Sequence, residues 1–188
     1  MLDYHSEGFL KWSENDGDYQ AALRIVKNNS EGRIWLIGGA VYRTLLFGDC
    51  DQAKDFDFIA DYVRDDCDLF VPEGYSISRT GMGGLRLYSS NDSIDIVTLK
   101  DVFQIKSRGL EPSIKNYLSG VPLNIQSIVW DVGRRQIRGE IGIKAIGDRV
   151  LRVNDLEMAM NRAISKGMSI KQMLEEKAME LDFDYEMP

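Results

Sequence analysis

Residues 33–60 read RIWLIGGAVYRTLLFGDCDQAKDFDFIA, and the order of patterns within this stretch decides the fold. Arg33 to Ile37 is a short run of bulky and β-branched residues, which reads as a buried strand. Gly38-Gly39 follow at once, and AVYRTLLF then runs as a helix that Gly48 ends. After a polar loop, KDFDFIA (54–60) alternates Asp55 and Asp57 on one face with Phe56 and Phe58 on the other. Strand, glycine turn, helix and strand make an α/β unit whose two aspartates point the same way.

Outward from this unit the periodicities continue. Upstream, DGDYQAALRIVKN (16–28) places Tyr19, Ala22, Leu23 and Val26 at helical spacing, and NNSEG stops it. Downstream, Tyr75 to Arg79 and Leu85 to Ser89 read as strands around the turn GMGG, and SIDIVTL (93–99) alternates again. Lys100 to Phe103 and Pro112 to Leu118 suggest short helices, PLNIQSIVWD (122–131) a strand before a Gly-Arg-Arg turn, and Val150 to Val153 a last short strand. From Asn154 the pattern becomes two methionine-rich helical segments, split by Gly167 and restarted by Ser169 as a cap, with an acidic close read as a solvated tail. The expected fold is α/β (α+β): a mixed, mainly antiparallel sheet of about five strands with helices on one face and a short C-terminal helical pair. The expected division is 1–153 for the main domain and 154–188 for the helical appendage.

Composition excludes several kinds of chemistry. The 188 residues are 44% apolar, enough for one sizeable core, and no run approaches the roughly 18 apolar residues of a membrane span. A soluble, cytoplasmic, unprocessed protein without membrane partners is expected. Cys50 and Cys67 have no metal-site or disulfide spacing. The single histidine, His5, lies near a terminus expected to be mobile, which excludes histidine-based triads and His-rich metal sites and leaves carboxylates to do the chemistry. The net charge of −7 argues against a surface that grips nucleic acid all over. The charge is uneven, however: residues 100–152 carry ten Lys/Arg against five Asp/Glu, so a local basic face or a scatter of solvated charges both fit. Trp35 and Trp130 sit among apolar residues and read as core.

The candidate chemistry is in the acids. Asp55 and Asp57 on one face of a strand repel each other without a cation, and hard divalent ions such as Mg²⁺ relieve that repulsion. Asp95 lies in the second alternating strand, with Ile94 and Ile96 on its opposite face, so three carboxylates converge if the strands are neighbours. Such a trio suits two-metal phosphoryl transfer, with Mg²⁺ or Mn²⁺ orienting a triphosphate and lowering the pKa of an attacking hydroxyl. Asp95 would ligate the hydroxyl-side ion and accept its proton. Gly38-Gly39, between a strand and a helix N-terminus, let backbone N–H groups approach an anion closely.

WLIGGAVYRTLLFG…KDFDFI followed by SIDIVTL resembles the head domain of the poly(A) polymerase and tRNA CCA-adding enzyme group, within the DNA polymerase beta-like nucleotidyltransferase superfamily. That group's pattern is GG-x-V-R-D-x-L-L-G, then D-x-D on a strand, then a third acid on a later strand. Gly38, Gly39, Val41, Leu45, Leu46 and, one place late, Gly48 match its first element, and Asp55, Asp57 and Asp95 supply the acids. PLNIQSIVWD and GEIGIKAIGDRVLRV echo two later elements, so the resemblance covers roughly residues 33–165. The departures are specific. Tyr42-Arg43 stands where the group has Arg-Asp, which moves the arginine about 100° round the helix. Gly120-Val121-Pro122 replaces Arg-Arg-Asp, implicated in ribose handling, and the base-reading Glu-Asp-x-x-Arg element has no counterpart.

The resemblance implies a nucleotidyltransferase sheet and a metal-dependent enzyme that moves a nucleoside monophosphate from an NTP to a hydroxyl, releasing pyrophosphate. Asp55, Asp57 and Asp95 would be catalytic and metal-binding, with two ions, and Gly38, Gly39, Arg43, Lys54 and Arg86 would contact nucleotide. The acceptor favoured by the resemblance is an RNA or tRNA 3′ end, reached through residues 100–152. A protein or small-molecule acceptor, and a non-catalytic nucleotide-binding relative, remain alternatives, and neither the nucleotide nor the oligomeric state is fixed by the residues.

Overall fold

The computed structural model describes residues 4–48, 55–80 and 83–188. The elements in chain order are α1 (Tyr4–Asn15), α2 (Gly17–Asn29), β1 (Ser30–Ile37), α3 (Gly39–Phe47), β2 (Asp55–Val63), β3 (Ser76–Arg79), β4 (Leu85–Tyr88) and β5 (Ser93–Thr98). They continue as α4 (Phe103–Lys106), α5 (Ile114–Ser119), β6 (Val129–Asp131), β7 (Gln136–Arg138), α6 (Glu140–Asp148), β8 (Val150–Leu151), α7 (Leu156–Ser165), α8 (Ile170–Leu181) and β9 (Asp184–Tyr185). Seven strands form one sheet in the order β3-β4-β5-β2-β1-β6-β7, while β8 and β9 pair separately. Only the β2–β5 pairing is parallel; the other ladders of the main sheet are antiparallel.

Strand alternation sorts the side chains into two layers. Leu36, Phe56, Phe58, Ile94, Ile96, Leu85, Leu87 and Trp130 face the main core, which residues of α1, α2, α3, α6 and the C-terminal helices complete. The intervening residues Trp35, Ile59 and Val129 face a smaller cluster with Val102, Ile105, Ile114, Tyr117 and Val121. The helical layer therefore lies on one face, and the short helices α4 and α5 additionally cover part of the other. Trp35 and Trp130 are both buried, as their apolar surroundings indicate, and the Trp35 indole N–H donates to Asp131 Oδ2 at 3.1 Å.

Two segments, residues 4–15 and 179–188, are more structured than their sequence suggests. Residues 4–15 form α1, because Phe9 and Trp12 share a face and Phe9 packs on Trp130 with ring centroids 4.8 Å apart. The acidic close is not a solvated tail: β9 pairs in parallel with β8, and Leu181 and Phe183 are buried. Helix α2 begins where Asp16 accepts from the Tyr19 N–H at 2.7 Å, and α8 begins with Ser169 and Gln172 capping each other's backbone N–H. The stretch expected as a strand over 122–131 is mostly a 3₁₀ turn at Asn124–Gln126, with only Val129–Asp131 extended. The main sheet has seven strands where about five were expected, and β7, paired with β6 across the Gly-Arg-Arg turn, is the strand that the sequence reading did not include.

Candidate active site

Backbone register places the candidate acids side by side. Asp57 pairs with Ile37 on β1 and with Asp95 on β5, and Asp95 pairs with Arg86 on β4. Ile37, Asp57, Asp95 and Arg86 thus form one row across four adjacent strands, separated by the roughly 4.8 Å strand spacing and lying on one face. Asp55, two residues before Asp57, shares that face and pairs with Ser93. The alternation seen in KDFDFIA and SIDIVTL, set in parallel register, suffices to bring the three acids together.

Their surroundings are unequal. Asp55 is exposed and accepts from the Ser93 hydroxyl at 2.6 Å. Asp57 is half-buried; burial pushes its carboxyl up to about 6, and the charges of Asp95 and Asp55 add to the rise, against Arg86 and Arg162. Asp95 is held by a fork, with Arg86 Nε 2.7 Å from Oδ1 and the terminal nitrogen Nη2 2.5 Å from Oδ2. Among the described residues no three ligand-type side chains form a ready-made metal cluster. The third carboxylate, Asp95, has Arg86 as its cation. The donor set still suits a hard ion at Asp55 and Asp57, two acids whose mutual repulsion is part of what lifts Asp57.

The glycine turn closes one side of the row. Gly38 has φ 72°, and a β-carbon there would stand 3.1 Å from Asp57 Oδ2, so both backbone conformation and space require glycine. The backbone of the turn thereby lies against the Asp57 carboxylate, with the first turn of α3 directly behind it. Arg43, expected to contact nucleotide, forms an ion pair with Glu180 of α8; its Nε is 3.8 Å from where a β-carbon on Gly39 would be. It lies over the turn without lining the cavity that contains the acids. Lys54 lies outside the described residues.

That cavity has a volume of about 450 Å³ and runs from Gly38, Asp57, Asp95 and Arg86 to the underside of α4 and α5. Two of its residues escaped sequence reasoning. Arg162, on α7, comes to the site from 105 positions beyond Asp57 and offsets its charge. Tyr117, on α5, is buried beside Asp57; burial, with Asp57's charge adding, pushes its hydroxyl well above the usual tyrosine range. No local motif marks either one. The basic stretch is also quieter than its composition: of its ten Lys/Arg, Lys106, Arg108, Arg135, Arg138, Lys144, Arg149 and Arg152 stand in ion pairs.

No protein-family model matches this chain, and no curated protein matches it. Solved structures do share its fold. A tRNA-processing enzyme in an apo form superposes with a TM-score of 0.64 and 14% identity, over 91% of this chain and 44% of that one. A CCA-adding enzyme in complex with CTP gives a TM-score of 0.63 and 16% identity, over 94% and 41%. The Thermotoga maritima CCA-adding enzyme complexed with tRNA-CCA gives 0.60 and 16%, over 97% and 42%. The fold is that of the nucleotidyltransferase head which the sequence resembles, and the chain spans less than half the length of these structures. No helix of the described residues is long and apolar enough to cross a membrane.

Proposed function

We propose that this chain is a nucleotidyltransferase that moves a nucleoside monophosphate from an NTP to a hydroxyl acceptor, in first place an RNA 3′ end, with release of pyrophosphate. The observation that carries this reading is the row Asp57, Asp95, Arg86 beside the Gly38 turn, with Asp55 adjoining it. Solved structures with this fold bearing CTP and tRNA support it. Residues 154–188 would correspond to the start of a neck, and Arg162 would be its contribution to the site.

Asp55 and Asp57 would hold a divalent ion, Mg²⁺ or Mn²⁺, with Asp95 the third acid and the place for a second. Such ions, when bound, neutralise the triphosphate and stabilise charge on the departing pyrophosphate. The chain's own groups do the rest. The N–H groups at the start of α3 face anionic oxygens, and the helix dipole favours them there. Arg86 exchanges partners: an incoming triphosphate offers its guanidinium a second anion, so binding of nucleotide frees the oxygens of Asp95. Arg162 adds positive charge to the same cavity. Tyr117, buried beside Asp57, forms part of the wall of the same cavity.

The ion pairs along residues 100–152 favour a second reading for the acceptor. Cations already neutralised by neighbours contribute less to the long-range attraction of a phosphate backbone, so a protein or small-molecule hydroxyl fits the same site with less demand on that face. Incubation with each labelled NTP, Mg²⁺ or Mn²⁺, and total RNA or lysate separates the two. Label in RNA supports the first acceptor and label in protein or small molecules the second. Loss of label in Asp57→Ala ties it to this site. Absence of nucleotide turnover under every condition, together with absence of metal binding, would refute the proposal.

A further inference from the structure

The inner end of the cavity contains a polar group that the mechanism above leaves idle. Gln104, on α4, is only 8% exposed, lines the cavity, and has no hydrogen-bond partner for its side-chain amide among the described residues. Its neighbours Val102 and Ile105 are buried apolar side chains in the cluster beneath α4 and α5. The amide atoms of Gln104 are not among the buried polar atoms that lack a partner, so they open onto the cavity, where a leucine would offer an occupant no hydrogen-bonding group.

The surrounding residues admit Gln104 at some expense to themselves. A β-carbon at position 120 would stand 2.8 Å from Gln104 Cγ and 2.9 Å from its Cβ, so Gly120 is the residue that makes room for the glutamine stem. Position 120 begins the Gly120-Val121-Pro122 stretch that stands where the resembled group has Arg-Arg-Asp. Three charged residues are thus replaced by a gap and two apolar walls, and the amide is placed in the space. Phe103, 41% exposed, and Tyr117 add flat aromatic surfaces to the same cavity.

We propose that this inner end is the subsite that reads the base of the incoming nucleotide, with the Gln104 carboxamide as its hydrogen-bonding group. The inference rests on the nucleotidyl-transfer reading and deepens it. A carboxamide presents one donor side and one acceptor side together, which matches the adjacent donor and acceptor of a nucleobase edge. Phosphate and ribose are poor occupants, because the walls formed by Val102, Phe103, Tyr117 and Val121 are apolar and aromatic. A flat heterocycle satisfies both requirements: its faces pack on Phe103, Tyr117 and Val121, and its edge satisfies the amide. The carboxylates at the outer end then receive the phosphates, since one cavity joins the two.

The test is the affinity and kcat/KM of the wild type, Gln104→Leu and Gln104→Glu for each of the four NTPs in Mg²⁺, with folding checked by circular dichroism. The wild type is expected to favour one base or one pair of bases by about tenfold or more, equivalent to about 1.4 kcal/mol. Gln104→Leu collapses that ratio. Gln104→Glu, which keeps the shape but can only accept when ionised, tilts it towards adenine and cytosine, whose exocyclic amino groups donate. Turnover with no base preference, or with ratios in both variants within about twofold of wild type, overturns the base-reading subsite while nucleotidyl transfer stands. A wild type that neither binds nor turns over any NTP overturns the nucleotidyl-transfer reading and the subsite with it.

Discussion

One face of one sheet carries two environments only two residues apart. On β2, Asp57 meets Asp55, Asp95 and the Gly38 turn, whereas Ile59, the next side chain on the same face, is fully buried beneath α4 and α5. The difference shows how a single strand divides labour. Its outer end accumulates charge that folding does not need and that a bound cation would relieve. Its inner end is buried among apolar side chains and fixes where the outer end lies. Rigidity and reactivity are therefore adjacent along β2, and each can be altered without the other.

The strongest way to sharpen the contrast is to remove the reactive half alone. Asp57→Asn keeps the shape of the side chain and is expected to lower transfer by about a thousandfold or more, which is about 4 kcal/mol of transition-state stabilisation, measured as kcat/KM with labelled NTP. Ile59→Ala does the converse. It is expected to destabilise the fold by about 2–5 kcal/mol in urea unfolding, at every pH, because it removes buried apolar contacts and enlarges the space between β2 and the α4–α5 layer.

The same Asp57→Asn change gives a stability effect of opposite sign. The folded carboxyl lies at about 6, above its ordinary 3.8, so the fold favours the protonated form. The resulting penalty is absent below pH 4, grows between pH 4 and 6, and is complete above pH 6, where it is at most about 3 kcal/mol. Asp57→Asn is therefore expected to raise the melting temperature at pH 8 and leave it unchanged at pH 4. Mg²⁺ is expected to stabilise the wild type at pH 8 and to lose that effect in the variant. A wild type whose melting temperature ignored both pH and Mg²⁺ would erase the contrast between the two ends. The smallest effect concerns the border: Gly38→Ala is expected to cost about 1–2 kcal/mol, since alanine is strained at φ 72° and crowds Asp57. Urea unfolding measures it, and a neutral result would mean that the turn relaxes away from the acid.

The outer end was largely legible in the sequence and the inner end was not, and the reason is the range of the interactions. RIWLI, the glycine pair, AVYRTLLF and DFDF each signal their element within a few residues, so β1, the turn, α3 and β2 follow from local periodicity. Asp95 was readable because SIDIVTL repeats the same alternation. The Arg86–Asp95 fork depends on the register of β4 against β5, which no spacing reveals, and it changes what Asp95 does. Arg162 and Tyr117 reach the site from distant elements whose local patterns are those of ordinary helices. Arg43 was read correctly as helical, but Glu180 on α8 determines where its charge goes. Gln104 gave no signal at all, because an amide in a short helix becomes informative only when its burial and lack of partners are known.

The pairing of β8 with β9 has a consequence for synthesis. Leu151 pairs with Tyr185, so the partner of β8 is translated 34 residues after it. At 5–20 residues per second a ribosome takes roughly 2–7 s to cover that distance. All seven strands of the main sheet precede β8 in the chain, so the surface that Leu174, Leu181 and Phe183 later cover is made before its cover exists. During those seconds the nascent protein presents an apolar face that chaperones can bind, and only the arrival of α8 and β9 withdraws it from them.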